Sequence, residues 1–225
     1  MPFAMRPLVV ALLVVCAGAN AQPAVPLQVV ARWTLMARDL PYAGPLPATH
    51  RLSLELFAFR DTAWEPAQII DALRLAALIL AQCGVHLDRA ELHQLDGGEP
   101  ELRDLFTPAS RTLVRRLQPV KPAVFFVRDT RHQPAFDGEA FGHGNTRTRP
   151  ELAGTVWLTA SIRGLPIALA HELVHVLADS GAHSPEPGNL MHEDPEHIEL
   201  SPAQCQRAVE NGAANAWLQP AARPE

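Results

Sequence analysis

The sequence predicts an α+β sandwich of α/β type, in which one sheet packs against helices. Three observations carry that reading. Residues 51–59 alternate with period two, 123–127 and 155–159 are short apolar runs rich in branched and aromatic residues, and 66–83 and 165–178 repeat their apolar residues at helical spacing. Strands that precede and alternate with helices fit one sheet with helices laid against it. The composition agrees: of 225 residues 48% are hydrophobic and 19% charged, which excludes disordered, collagenous and coiled-coil chains. Lys and Arg number 19 against 24 Asp and Glu, for a formal charge of -5, and no basic run occurs. A nucleic-acid partner and a polybasic membrane-surface partner are thereby excluded.

The N-terminus is a segment of its own. Arg6 gives a short positive start, Leu8 to Val15 is an unbroken apolar run, and Ala19-Asn20-Ala21 is a small-x-small cleavage site. Residues 1–21 therefore read as a secretory signal peptide, and the protein as exported, periplasmic or secreted. The apolar run is too short to span a membrane, so no stable membrane insertion is expected after cleavage. A lipoprotein reading fails at Val15, a bulky residue before Cys16 where lipid attachment needs a small one. Export changes the meaning of the remaining cysteines, because Cys83 and Cys205 become an even pair in an oxidising compartment. A disulfide between them would close a long loop, for which chain entropy allows about 4–5 kcal/mol; the alternative is two buried thiols.

Residues 22–50 are Pro-rich and read as an extended lead-in to a domain spanning 51–225. Leu52, Leu54, Leu56 and Ala58 alternate with Ser53, Glu55, Phe57 and Phe59, a strand pattern. Pro66 then opens a helix through Cys83, with Ile69, Ile70, Leu73, Ala76, Ala77 and Leu80 on its apolar side and Gly84 as its stop. Val85 to Leu87 begins a second strand. The charged stretch 88–122 holds a short helix at Ser110 to Leu117, and Ala123 to Val127 is a buried strand. Residues 129–152, with Gly138, Gly142 and Gly144, read as a surface loop. Thr155 to Thr159 is the next strand, and Gly164 and Pro166 open a helix through Ala178. A Pro/Gly-punctuated loop runs from Ser180 to Pro202, and Ser201-Pro202 caps a last helix to about Leu218. No repeat and no second domain is evident.

The chemistry lies in His171-Glu172-Leu173-Val174-His175, an HExxH motif inside the helix over 165–178. Histidines at i and i+4 project from one face, so two imidazole nitrogens can reach one zinc ion. Glu172, beside the first ligand, can hold and deprotonate a metal-bound water. Leu165, Ile167, Leu169, Leu173, Val174, Val176 and Leu177 make this helix apolar almost all round, hence buried. Polar side chains there without a partner would each cost several kcal/mol, which a metal removes.

A third protein ligand is needed, with Asp179, His183, His192, Glu196 and Glu199 as candidates downstream. On a continued helix His183 would lie about 12 Å beyond His175, so the helix must stop first. Gly181 is placed to turn the chain and bring His183 back. Asp179 reads instead as a residue that orients a ligand or caps the turn.

With these residues the chain resembles a zincin metallopeptidase, and specifically a metzincin. His171, Glu172 and His175 match that group's motif, Gly181 and His183 are similar to its helix-ending glycine and third ligand, and Asn189-Leu190-Met191 resembles its methionine turn, with Met191 under the metal. The usual spacing falls on Ala178 and Gly181, so the Gly-x-His of this chain arrives two residues late. A tyrosine after the methionine turn is absent, Tyr42 being the only one, and the lead-in has no cysteine to mask the metal. A thermolysin-like reading with Glu196 or Glu199 as third ligand is disfavoured by Pro185, Pro187 and Pro195, because that arrangement presents its glutamate from a helix.

The resemblance implies one catalytic Zn2+, hydrolysis of a peptide or protein substrate by a monomer, and Glu172 as general base. It also implies a mixed sheet with an antiparallel edge strand packed on two long helices, and an extended substrate that pairs along an edge strand at Thr155, Val156, Trp157, Leu158 and Thr159. His143 reads either as a residue at the cleft rim or as a solvated loop histidine. The alternatives are a non-catalytic zincin-fold module that binds zinc or a partner, and a periplasmic metal carrier; a glutamate between the ligands has no use in either.

Overall fold

Alternation along β2 (His50–Phe59) sends Leu52, Leu54, Leu56 and Ala58 to one face of a sheet and Phe57 and Phe59 to the other. The computed structural model describes residues 25–45, 47–130, 140–143 and 149–221, with 140–143 described by its backbone alone. The expected signal peptide, residues 1–21, lies outside the described residues. The elements are β1 (Gln28–Met36), β2, α1 (Pro66–Leu80), β3 (Val85–Asp96), α2 (Thr107–Leu117), β4 (Ala123–Val127), β5 (Ala140–His143), β6 (Thr155–Thr159), α3 (Leu165–Ala178), α4 (Pro202–Ala214) and β7 (Leu218–Pro220). The sheet order is β1-β3-β2-β4-β6-β5, with β7 beside the first residues of β2. β3, β2, β4 and β6 run parallel, and β1 and β5 are antiparallel edges. This is the expected α+β sandwich with a mixed sheet.

α1, α3 and α4 cover one face, where Leu52, Leu54, Leu56, Leu73, Leu169 and Leu173 meet in the larger core. The other face is closed by α2 and neighbouring turns over an aromatic column, in which Phe57 stacks on Phe125 at 5.2 Å and Phe125 on Trp157 at 4.3 Å. α1 passes into a single 3-10 turn (Ala81–Cys83) and stops at Gly84, whose φ of 69° is the left-handed conformation that favours glycine. The disulfide expected between Cys83 and Cys205 is formed, with the Cα atoms 4.7 Å apart, and it ties that turn to α4.

Several boundaries differ from the sequence reading for identifiable reasons. The lead-in over 22–50 is not outside the sheet: β1 pairs with β3, but as a mostly exposed edge with a bulge at Val29/Ala31 it lacks a clean alternation. β3 continues to Asp96 because a bulge between Leu87 and Arg89 moves its inward set from Val85 and Leu87 to Ala90 and Leu92, breaking the period. α2 begins at Thr107, ahead of Ser110. The loop over 129–152 contains β5. The last helix ends at Ala214, and the chain returns as β7 to pair with β2.

Candidate metal centre

α3 starts where Gly164, at φ 59°, turns the chain and Pro166 occupies its first turn. It is buried on nearly every side, between α1, α4, β5 and β6. The helix ends through Asp179 at φ 48°, whose N–H donates to the carbonyls of His175 and Val176. That corrects the turning role expected of Gly181, which has no left-handed φ; aspartate is among the few residues that tolerate this conformation. The two residues by which His183 arrives late are taken up in the turn that follows. Ser184 N–H donates to the Met191 carbonyl at 2.7 Å, which fastens the returning strand beside the Asn189-Met191 turn.

His183 is thereby brought to His171 and His175. The Nε2 atoms of His175 and His171 are 2.9 Å apart, and those of His175 and His183 are 3.2 Å apart. Tetrahedral bonds of about 2.0–2.1 Å from one zinc place nitrogen ligands about 3.3 Å from each other, so these separations fit such an ion. The tautomers fit as well. His171 Nδ1–H donates to the Leu190 carbonyl at 2.7 Å and His175 Nδ1–H to the Ser180 carbonyl at 2.7 Å, leaving each Nε2 with a bare lone pair. Two such lone pairs facing each other repel unless a cation lies between them. Burial pushes the His171 pKa down to about 4, aided by His175 and His183 and opposed by the Leu190 hydrogen bond. Burial lowers His175 in the same way, opposed by the Ser180 hydrogen bond. Both rings are thus neutral at pH 7, the form a metal requires.

Glu172 is buried, with Oε1 4.0 Å from His171 Nε2, beside the convergent nitrogens but outside their set. Among the other candidates for a third ligand, Asp179 caps the helix, His192 Nδ1 lies against the Asp194 backbone, 3.0 Å from its carbonyl oxygen and 3.2 Å from its nitrogen, and Glu199 accepts from Ile198 N–H at 3.2 Å. Neither these nor Glu196 joins the group formed by His171, His175 and His183. Met191 is buried in the same core as α3.

The substrate strand expected at Thr155, Val156, Trp157, Leu158 and Thr159 is corrected. β6 is an interior strand, bonded to β4 on one side and β5 on the other, and all five residues are buried. With both ladders filled it has no edge to offer; among the described residues the outer strand is β5, whose last residue is His143. Sequence reasoning also missed the Leu190 and Ser180 carbonyls that orient the rings, since backbone acceptors leave no signature in residue type. It named Asn189 only as part of the methionine turn and gave Gln204 no reading.

No protein-family model matches the chain, and no curated protein matches it. Among solved structures the fold is similar to the crystal structure of metalloproteinase-II from Bacteroides fragilis, with a TM-score of 0.50 and 20% sequence identity over 76% of this chain and 57% of that one. The likeness is one of fold, an α+β metalloproteinase-like domain, and this chain spans little more than half the length of that neighbour.

Proposed function

We propose that the protein is an exported zinc-dependent endopeptidase. The observation that carries the reading is the convergence of His171, His175 and His183 on one point, with Glu172 beside it and two of the rings held by backbone carbonyls. The neutral imidazoles of His171, His175 and His183 would hold a zinc ion, which when bound would supply a Lewis acid for a scissile carbonyl and an acidified water. Glu172 takes the proton of the attacking water and delivers it to the departing amine. The burial of Glu172 keeps bulk water from competing for that proton. An extended peptide would reach this point along β5, the outer strand of the sheet among the described residues and a neighbour of α3. Export is supported by the leader-like N-terminus and by the Cys83–Cys205 disulfide.

The test is Glu172→Gln. Hydrolysis of an unstructured protein substrate falls by about 10²–10⁴-fold while metal content and thermal midpoint stay at wild-type values. Retained hydrolysis in a metal-loaded variant would remove Glu172 from this role.

A further inference from the structure

We propose that Asn189 and Gln204 are positioning residues for the metal centre, acting through the Leu190–Met191 peptide on His171. The inference rests on the metal-site reading above. The peptide unit between Leu190 and Met191 is held at both ends. Its carbonyl accepts from His171 Nδ1–H at 2.7 Å, and its N–H donates to Asn189 Oδ1 at 2.9 Å. The direction of the carbonyl, and with it the rotation of the His171 ring, therefore follows from where Asn189 places its amide oxygen.

Gln204 fixes that oxygen. Asn189 Nδ2–H donates to Gln204 Oε1 at 3.0 Å, and Gln204 Nε2–H donates back to Asn189 Oδ1 at 2.8 Å, a closed amide pair. The orientation of each amide is dictated by a backbone group that can only donate: Met191 N–H requires an oxygen from Asn189, and Ser201 N–H, 2.7 Å from Gln204 Oε1, requires an oxygen from Gln204. Flipping either amide would set donor against donor at a backbone N–H and also break the pair. Asn189 is 5% exposed, so water cannot readily replace a lost partner. Gln204 in addition belongs to the capping box of α4, where Ser201 Oγ accepts from Gln204 N–H at 3.3 Å. One side chain thus joins the start of α4 to the turn that aims a metal ligand.

This dual role supplies its own control, because Ser201→Ala weakens the same capping box without touching the amide pair. The full chain is loaded with Zn2+ and titrated with a competing chelator, and the visible spectrum of the Co2+-substituted protein is recorded for wild type, Gln204→Ala, Asn189→Asp and Ser201→Ala. Loss of an outer partner of a metal ligand costs 10–100-fold in affinity. The expected result is a loss of about 10-fold or more in Gln204→Ala with a changed Co2+ spectrum, a similar change in Asn189→Asp, and wild-type affinity and spectrum in Ser201→Ala. Equal effects in Gln204→Ala and Ser201→Ala, or wild-type affinity in Gln204→Ala, would overturn the positioning role and leave the metal site standing. If Gln204→Ala does not fold, Gln204→Glu, which keeps the acceptor for Ser201 N–H but loses the donor to Asn189, decides on the same criteria. A wild-type chain that takes up no Zn2+ or Co2+ would overturn both the proposed function and this inference.

Discussion

Each face of the sheet carries a group of three ligand-type side chains whose donor atoms lie within 4.8 Å of one another: His171, His175 and His183 on the α3 side, Glu55, Glu91 and His93 on the other. Proximity is the same in both, yet their partners differ. In the first group the outer nitrogens of His171 and His175 are spent on backbone carbonyls, so the inner ones are bare and face each other. In the second every member is engaged. Glu91 accepts from the Arg89 guanidinium, Glu55 accepts from Val120 N–H at 2.9 Å, and His93 Nδ1 accepts from Arg32 Nε–H at 3.3 Å. Because arginine only donates, the proton of neutral His93 sits on Nε2, the nitrogen that faces Glu91 Oε2 at 3.7 Å. A cation would meet an N–H and two nearby guanidinium groups there. Convergence alone does not define a metal site; what sets the first group apart is that its facing nitrogens carry no proton.

Metal content separates the two groups most sharply. Elemental analysis of the protein purified with excess zinc is expected to give about one ion per chain, as a site of this type holds. His171→Ala and His175→Ala lose it, whereas Glu91→Gln and His93→Gln retain it. The reverse pattern would invert the comparison. His183→Ala, which leaves two imidazoles in place, is expected to weaken binding by more than the roughly 10–100-fold that loss of an outer partner costs. Unchanged affinity in that variant would pass the third position to another residue.

The same contrast explains what was legible in the sequence. His171, Glu172 and His175 stand at helical spacing in an apolar run, so the motif and its helix could be read directly. His183 could be reached by arguing that the helix had to stop, but the residue that stops it, Asp179, is an unusual occupant of the left-handed region, and Gly181 was the natural choice. β2, β4 and β6 show as strands because their apolar content is dense. β1 and β3 escape a reading by period, since a bulge in each shifts the alternation. That β6 lies inside the sheet was illegible for a different reason: order across a sheet is set by pairing over long separations, and β5, whose placement makes β6 interior, is a short run within a Gly-rich stretch.

The disulfide belongs wholly to the α3 side, since Cys205 follows Gln204 in α4 and Cys83 closes the turn after α1. Replacing Cys83 and Cys205 together by Ser is expected to lower stability by roughly 2–5 kcal/mol. At about 2–4 °C per kcal/mol for a chain of this size, a thermal scan resolves the change easily. The titration of His93 on the opposite face is expected to be unmoved. A shift confined to His93 would mean that the two faces are coupled in a way the packing does not provide.

The smallest effect lies in the second group itself. Burial lowers the His93 pKa from 6.5; Glu55 opposes that shift, Arg32 adds to it, and Glu91 opposes it more weakly. A histidine with a depressed folded pKa binds fewer protons than the unfolded chain, so its contribution to stability is intact above the unfolded value of about 6.5 and declines as pH falls from there toward the lowered folded value. Proton NMR of the ring is expected to place the His93 midpoint below that of an exposed histidine. Glu55→Gln, which removes the larger opposing charge, moves the midpoint further down, and Arg32→Gln moves it up. If His93 instead answers to added zinc and not to these two charges, then the group is a cation site after all, and the distinction drawn between occupied and available ligands fails at the place where it is easiest to test.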